Sequence, residues 1–349
     1  MPEIAGPWWS RALQAAWLIR GPLAWALTPL SALFGLLSAA RRVGYRAGWL
    51  TTHKLPVPLV VVGNLIAGGA GKTPTVIAVV ALLRRHGYTP AIVSRGHGRS
   101  GGGTLEVHAQ TPASACGDEP KLLWRRTRAP VMVGRNRVAA CRELLRRHAQ
   151  VDVIVSDDGL QHLALARDAQ VIVFDERGAG NGFLLPAGPL RETLAGQCPP
   201  LSIVLYNAET PTTPWPGSLA QRAFGGIIEL GAWWRGESAC AASLESLRGR
   251  HLIAAAGIAR PQRFFQMLAE QGLRFDALPL PDHCSYAELP WPADAADVIV
   301  TEKDAVKIEP QRAGATRIWV ATLDLRTGPD FDSALLALLP GARRAAAAL

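Results

Sequence analysis

The stretch that decides the fold is Val60-Val61-Val62-Gly63-Asn64-Leu65-Ile66-Ala67-Gly68-Gly69-Ala70-Gly71-Lys72-Thr73-Pro74. An apolar run enters a glycine-rich turn that ends in Gly-Lys-Thr, and a helical pattern follows. This is the layout of a phosphate-binding loop. Glycines let the backbone wrap inward and aim successive N–H groups at a polyphosphate. The helix beginning near Lys72 adds the positive end of its dipole. Lys72 is then placed for the β- and γ-phosphates and the Thr73 hydroxyl for Mg²⁺. Ile66, Ala67, Gly68, Gly69, Ala70, Gly71, Lys72 and Thr73 are the expected nucleotide contacts, with ATP or GTP as ligand. The strict pattern has glycine where this chain has Ile66. A turn that merely joins strand to helix is the plainer alternative, but three glycines before Gly-Lys-Thr are costly to keep for packing alone.

Strand-like apolar runs continue outward from this loop: Leu59–Val62, Thr89–Val93, Val151–Val155, Val171–Phe174 and Leu201–Leu205. Helical stretches such as Thr73–His86 and Asn136–His148 lie between them. Such alternation implies an α/β fold, a parallel sheet of the P-loop NTPase kind with helices on both faces. Ligands bind such sheets at the carboxyl ends of the strands. A cluster of proline and threonine at 207–216 marks a shift, and Ala223–Trp233 reads as two short extended pieces around Gly231. His251–Ala256, Asp297–Val300 and Arg317–Ala321 then read as strands and Pro261–Gln271 as a helix. The expected organisation is a hydrophobic N-terminal segment (1–50), a core (51–222), an extended linker (223–236), a smaller α/β domain (237–340) and a frayed tail (341–349).

The 349 residues are 49% hydrophobic, enough for a sizeable core. The net charge of +9 favours anionic partners without choosing among nucleic acid, lipid and phosphorylated substrates. Much of the excess lies between Lys121 and Arg147, where most of the arginines read as a solvated helix face. Five scattered cysteines without a C-x-x-C pair argue for a reducing compartment and against structural zinc. Gly21–Ala40 carries no charge; Trp8, Trp9, Trp17 and Trp25 are spread around its start among Arg11 and Arg20, and Arg41, Arg42 and Arg46 follow it. A helix lying in the interface of an anionic leaflet suits this pattern best. An ordinary packed helix comes second and a true span third, because Pro22 and Pro29 weaken it.

Five further constellations bear on chemistry. Val151–His162 is a buried strand ending in Asp157-Asp158, the form of a second P-loop motif whose carboxylate holds Mg²⁺; helix capping is the alternative. His162 after that strand reads as structural. Gly117-Asp118-Glu119-Pro120 places two carboxylates in a rigid turn before a basic helix, which equally suits a general base or metal ligand and simple capping. Ser94–Arg99 is a glycine-hinged loop with arginines fit for phosphate. Gly180–Glu192 is an apolar, proline-stiffened loop, suited to an acyl chain or membrane or to burial under the second domain. Pro281-Asp282-His283 offers an Asp–His pair or a surface turn. Thr301-Glu302-Lys303-Asp304 only superficially matches the guanine-reading motif, its lysine being one place late.

Taken in order, these motifs resemble the tetraacyldisaccharide 4'-kinases of lipid A biosynthesis. The resemblance rests on GNLIAGGAGKTP (63–74), SRGHGR (94–99), GDEP (117–120), DDGLQH (157–162), GNGFLLPAGPLRE (180–192), GIARPQRFF (257–265), PDH (281–283) and TEKDAVK (301–307). It implies transfer of the γ-phosphate of ATP to the 4'-hydroxyl of a tetraacylated disaccharide 1-phosphate, giving lipid IVA. It implies Mg²⁺, and attachment to the cytoplasmic face of the Gram-negative inner membrane through the N-terminal helix. Asp118 would be the general base, aided by His283, with Lys72 on the phosphates. Asp157 and Asp158 would organise metal and nucleotide, with Thr73 and Glu119 as further metal ligands and Asp158 also catalytic. His97 stands where the family more often has tyrosine, and Ala259-Arg260 where Gly-Asn or Gly-His is common. Two other classes share the loop. A GTPase or metallochaperone switch needs a guanine motif or clustered Cys/His ligands, which are missing. A nucleic-acid-dependent NTPase would use the basic helix; the resemblance implies an acylated lipid instead of nucleic acid. Nothing in the sequence points to a protein partner.

Overall fold

A computed structural model describes residues 8–341. The chain builds two sheets. The first contains β1 (Leu59–Gly63), β2 (Pro90–Ser94), β3 (Thr104–Glu106), β4 (Val131–Gly134), β5 (Val153–Asp157), β6 (Ala169–Asp175), β7 (Ser202–Asn207) and β8 (Ser218–Leu219). Their order is β3-β4-β2-β5-β1-β6-β7-β8, parallel throughout except for the edge strand β3. β1 is central, between β5 and β6.

The alternation of side chains along β1 explains why every one of its residues is apolar or glycine. Val60 and Val62 face a core with Val76, Val79 and Leu83 of α4 (Lys72–Arg85). Leu59 and Val61 face another, with Val138, Cys141 and Leu144 of α7 (Arg137–Arg147). A strand covered on both faces cannot alternate polar with apolar. The remaining helices of this half are α1 (Trp8–Ala16), α2 (Pro22–Ala26), α3 (Thr28–Arg46), α5 (Ala113–Cys116) and α6 (Asp118–Thr127).

The second sheet is ordered β11-β10-β12-β13-β9, from β9 (Gln221–Glu229), β10 (Leu252–Ala256), β11 (Phe275–Pro279), β12 (Asp297–Thr301) and β13 (Arg317–Arg326). Around it lie α8 (Leu230–Arg235), α9 (Ala241–Leu247), α10 (Pro261–Glu270) and α11 (Glu302–Ala305), and α12 (Pro329–Ala337) follows. Val298 and Val300 pack with Trp233, while Ile299 packs with Phe264 and Leu268 of α10.

Several expectations change. The stretch read as an extended linker is β9 followed by α8. β9 pairs antiparallel with β13 from Glu229↔Trp319 to Gln221↔Arg326, so its backbone groups are satisfied inside the second sheet. Gly231 opens a helix rather than a break, because Trp233 is buried. The chain also returns to its first half: Phe331 and Leu335 of α12 pack in the core of the first sheet. The tail beyond Gly341 lies outside the described residues.

The 180–192 loop is neither free nor covered by the second domain. It is the seat of the N-terminal segment. Trp17 Nε1 donates to Pro186 O at 2.9 Å, Ser31 Oγ to Leu184 O at 2.8 Å, and Arg20 Nε to Asn181 O at 2.9 Å. Trp25 meets Phe183 edge-on at 5.1 Å. Among the described residues, no helix is long and apolar enough to cross a membrane. The basic run also divides. Arg128, Arg135, Arg142, Arg146 and Arg147 are exposed, but Lys121, Arg125 and Arg137 are buried. Lys121 lies between Trp124 and Trp234, and Arg125 lies over Trp233, so these cations join α6 to the second half. All five cysteines are free thiols.

Candidate active site

The carboxyl ends of β1, β2 and β5 open into one cleft of about 1620 Å³ between the two sheets. Gly68–Pro74 form its floor. The loop is shaped by side chains that take its carbonyls. Asn64 Nδ2 donates to Ile66 O (2.7 Å) and Gly68 O (3.0 Å), Arg177 to Ala67 O (3.0 Å) and Gly69 O (3.1 Å), and Asn207 Nδ2 to Ala70 O (3.1 Å). Five successive carbonyls are thereby turned away, which is the condition for a nest of inward N–H groups. Gly71 ends the loop at φ +90° and caps α4, and Asn207 packs where a side chain would stand.

Ile66 and Ala67 do not line the cleft, unlike the rest of the expected loop. Ile66 is fully buried and bridges to Leu190, while Ala67 N donates to Pro189 O at 2.7 Å. The departure from the strict glycine pattern is therefore a packing anchor that ties the loop to the 180–192 segment.

Lys72 Nζ donates to Asn64 Oδ1 at 3.1 Å and lies 3.7 Å from Asp158. The adjacent aspartates have opposite surroundings. Asp157 ends β5 and is buried; it accepts from Ser94 Oγ at 2.9 Å, and its Oδ1 has no partner. Burial, then the charges of Glu119 and Asp158, push its pKa up. Asp158 follows with φ +48°, a conformation asparagine and aspartate tolerate best. Its burial is outweighed by Lys72 and by Arg191, 3.1 Å away, so its pKa is held down.

The expected metal set of Thr73, Asp157, Asp158 and Glu119 is not a closed cage. Among the described residues no three His, Cys, Asp or Glu side chains gather to hold a metal. Asp158 is committed to Lys72 and Arg191, and Glu119 faces Lys303 at 3.6 Å. The unpartnered Asp157 oxygen, in the cleft that Thr73 also lines, does fit a hard cation such as Mg²⁺, which takes one or two carboxylates and completes its shell with phosphate and water.

Asp118 opens α6, but Gly117 is the N-cap and no side chain caps the helix. The carboxylate points elsewhere: His283 Nδ1 lies 3.1 Å from its Oδ2, and Lys307 Nζ 3.8 Å. His283 does sit in an exposed turn, as the plainer alternative has it, and its ring is nevertheless paired with Asp118. The residue adopts φ +62°, its backbone N–H donates to Asp282 Oδ1 at 3.1 Å, and its ring is 5.8 Å from that of His97. Lys303 Nζ lies 3.1 Å from Asp282 and 3.5 Å from His283 Nε2. The TEKDAVK motif is thus a support: Asp304 is buried, accepts from Thr301 Oγ1 at 2.7 Å and Gly257 N at 3.0 Å, and holds Lys307 at 3.0 Å.

Sequence reasoning assigned no role to Asn64, Asp175, Arg177, Asn207, Lys303 or Lys307. Asp175 and Asn207 end β6 and β7, and a polar residue at the carboxyl end of a buried strand is the signal that marks them. Asp175 orients Arg177 (3.0 Å) and receives Arg260 from the second half (3.3 Å). Arg260 also reaches Glu176 at 3.1 Å, so the departure at Ala259-Arg260 forms a bridge between the halves.

Residues 23–340 match the family model described as tetraacyldisaccharide-1-P 4'-kinase. The tetraacyldisaccharide 4'-kinase of Methylibium petroleiphilum is 55% identical, with 93% of this chain and 92% of that protein covered. The enzyme of Leptothrix cholodnii is 53% identical over 95% and 96% of the two chains. Among solved structures, one described as an "apo" form of LpxK from Aquifex aeolicus in complex with ATP matches with a TM-score of 0.74 and 25% identity, covering 91% of this chain and 100% of that one.

Proposed function

The chain belongs to the tetraacyldisaccharide 4'-kinase family, and from that premise we propose how its cleft carries out the transfer. It is a lipid A 4'-kinase, moving the γ-phosphate of ATP to the 4'-hydroxyl of tetraacyldisaccharide 1-phosphate. ATP lies with its phosphates on Gly68–Thr73, where Lys72 neutralises the oxygens of the transferring group. Asn64 holds the Lys72 amine in place between deliveries of substrate.

A sugar hydroxyl is a poor nucleophile and needs a carboxylate to take its proton. Asp118 is that base. His283 donates to its Oδ2 and keeps the second oxygen aimed, and Lys307 steadies the negative charge. Thr73 and Asp157 would hold Mg²⁺, which when bound supplies further charge neutralisation at the phosphates. Asp158, paired to Lys72 and Arg191, orders the two cations along the path of transfer.

The N-terminal helices serve the lipid. Their exposed apolar side chains suit the interface of an anionic leaflet, at the cytoplasmic face of the inner membrane of a Gram-negative cell, where ATP is available.

The observation that carries the assignment of roles is the 3.1 Å contact between Asp118 and His283, one from each half of the molecule. The direct test incubates purified protein with ATP, Mg²⁺ and the disaccharide 1-phosphate and looks by mass spectrometry for one added phosphate. Product from the wild type and none from Asp118→Ala supports the reading. Full product from Asp118→Ala removes it.

A further inference from the structure

α6 begins with Asp118 and is packed from both sides. Leu123 is buried in the core of the first sheet with Val76 and Val131. Leu122, one position earlier, is buried in the second half with Trp233, Ala305 and Val306. Apolar contacts hold two surfaces together but are non-directional, so they leave the position of the helix along its axis loosely set.

The charges between α6 and α11 are more exacting. α6 offers Asp118, Glu119 and Arg126. α11 and the turn after it offer Lys307, Lys303 and Glu302. Asp118 lies 3.8 Å from Lys307, and Glu119 lies 3.6 Å from Lys303. At the other end of the interface the signs reverse: Arg126 Nη1 donates to Glu302 Oε2 at 2.6 Å. A helix presenting acid, acid, base thus meets a segment presenting base, base, acid. Sliding of α6 along α11 would part all three pairs together.

The Arg126–Glu302 pair lies away from the chemistry. Arg126 stands eight positions beyond Asp118, about 12 Å along the helix. Glu302 is buried and fully engaged. Besides Arg126 it accepts from Trp233 Nε1 and from Leu323 N, each at 3.3 Å. Arg126 Nη2 also donates to Asp324. Desolvation consumes much of the attraction in a buried ion pair, and the best attested use of such a pair is to specify register.

We propose that Arg126 is a positioning residue for the phosphoryl transfer: its pair with Glu302 sets the register of α6 against α11 and so delivers Asp118 to His283. The inference rests on the kinase reading and deepens it, by naming what assembles the pair on which that reading depends. Lys303, next to Glu302, connects α11 to the turn that holds His283. Its Nζ lies 3.1 Å from Asp282 and 3.5 Å from His283 Nε2. The path runs from Arg126 through Glu302 and Lys303 to the imidazole. Without the pair, α6 settles wherever its apolar faces allow, and the carboxylate misses its histidine.

The test replaces both members of the pair, because removing Arg126 alone strands a buried carboxylate. Full-length enzyme in detergent is assayed with ATP, Mg²⁺ and the disaccharide 1-phosphate. Wild type is compared with Arg126→Met plus Glu302→Leu. A milder variant is Arg126→Met plus Glu302→Gln, whose amide oxygen still accepts from Trp233 or Leu323. Both double variants should melt near wild type and keep its KM for ATP. In both, kcat should fall by about tenfold to a hundredfold, the size of a displacement of about 1 Å at the reacting groups. Adding His283→Ala to either should cost little more than His283→Ala alone, since all act through one contact. Wild-type kcat in either folded double variant would overturn the positioning role. So would a raised KM for ATP at unchanged kcat, or losses that multiply with that of His283→Ala. Loss of the fold in both would make the pair a stabilising contact and overturn the role too. These results leave the kinase reading standing. A wild type that forms no product overturns that reading and the positioning role with it.

Discussion

Asp118 Oδ2 and His283 Nδ1 lie 3.1 Å apart, although 165 residues separate them in the chain. Each shifts the other. Burial would raise the Asp118 pKa, but the His283 hydrogen bond and the Lys307 charge outweigh it and hold it below its ordinary 3.8. The hydrogen bond to Asp118 raises His283 above its ordinary 6.5 against burial. The signs define a window. The histidine's contribution to stability is complete below 6.5 and is lost as pH rises through its raised pKa. The carboxylate's contribution is complete above 3.8 and is lost as pH falls through its lowered pKa. Thermal melts of wild type and His283→Ala should therefore differ most between these two values and converge in alkali. A difference that instead grows above neutrality would show that the pair is not ionic.

The loop offers a second check. Gly71 has φ +90°, and an added Cβ would run into the Asn207 amide. Gly71→Ala should cost about 1–3 kcal/mol in strain and abolish ATP binding by calorimetry. Lys72→Ala should keep its fold and lose turnover by orders of magnitude, because the lost charge acts on the transferring group. Tight ATP binding by Gly71→Ala would mean that the nucleotide sits elsewhere.

The N-terminal helices make a third. Among the described residues, all large exposed hydrophobic side chains except Leu201 and Leu219 lie between Leu18 and Leu50. Such concentration in one patch marks an interaction surface. Leu36→Glu combined with Leu37→Glu should change stability by no more than about 0.5 kcal/mol, since both side chains are exposed. The same protein should sediment less with anionic vesicles while binding ATP normally. Unchanged sedimentation would place the attachment outside α3.

How much of this was legible in the sequence depends on how local the signal is. β1, the loop and α4 could be read because glycine, lysine and an apolar run are adjacent in the chain. Asp157 could be read because it ends a buried strand. β9 could be read only as an extended piece: what makes Gln221–Glu229 a strand of the second sheet is its pairing with β13, about a hundred residues on, and its own composition is mixed. The 180–192 loop was seen as apolar, but only the folded chain shows that Trp17, Ser31 and Arg20 cover it. Asn64, Arg177 and Asn207 act on carbonyls of the nucleotide loop, and no spacing rule ties a side chain at 177 or 207 to a turn at 66–70. Asp118 was balanced between cap and base, since both demand a carboxylate at a helix start. Geometry separates only the side-chain cap from the rest: Gly117 occupies the cap position, while Asp118 remains an acid in the first turn of α6 with its carboxylate turned to His283.

That separation gives the sharpest prediction. If Asp118 takes the 4'-hydroxyl proton and His283 orients it, the two residues act as one unit. Asp118→Ala and His283→Ala should each lower kcat strongly, with ATP affinity unchanged, because neither touches the Gly68–Thr73 loop. The double variant should be only slightly slower than the poorer single one, since removing a second member of a unit has little left to remove. Asp118→Asn is the discriminating control. Asparagine keeps the shape, caps helices as well as aspartate does and can still accept from His283, but it cannot take a proton. The role of base requires Asp118→Asn to be nearly inactive while its melting temperature stays close to wild type. A role in helix stability requires the reverse for Asp118→Ala, a loss of about 1 kcal/mol with turnover preserved. The cycle is run on kcat at saturating lipid, with ATP binding measured separately, so that a misplaced helix is not mistaken for lost chemistry. Strictly additive losses, or an active Asp118→Asn, would remove Asp118 as the base and leave Asp158, the next ionised carboxylate in the cleft, as the group to test.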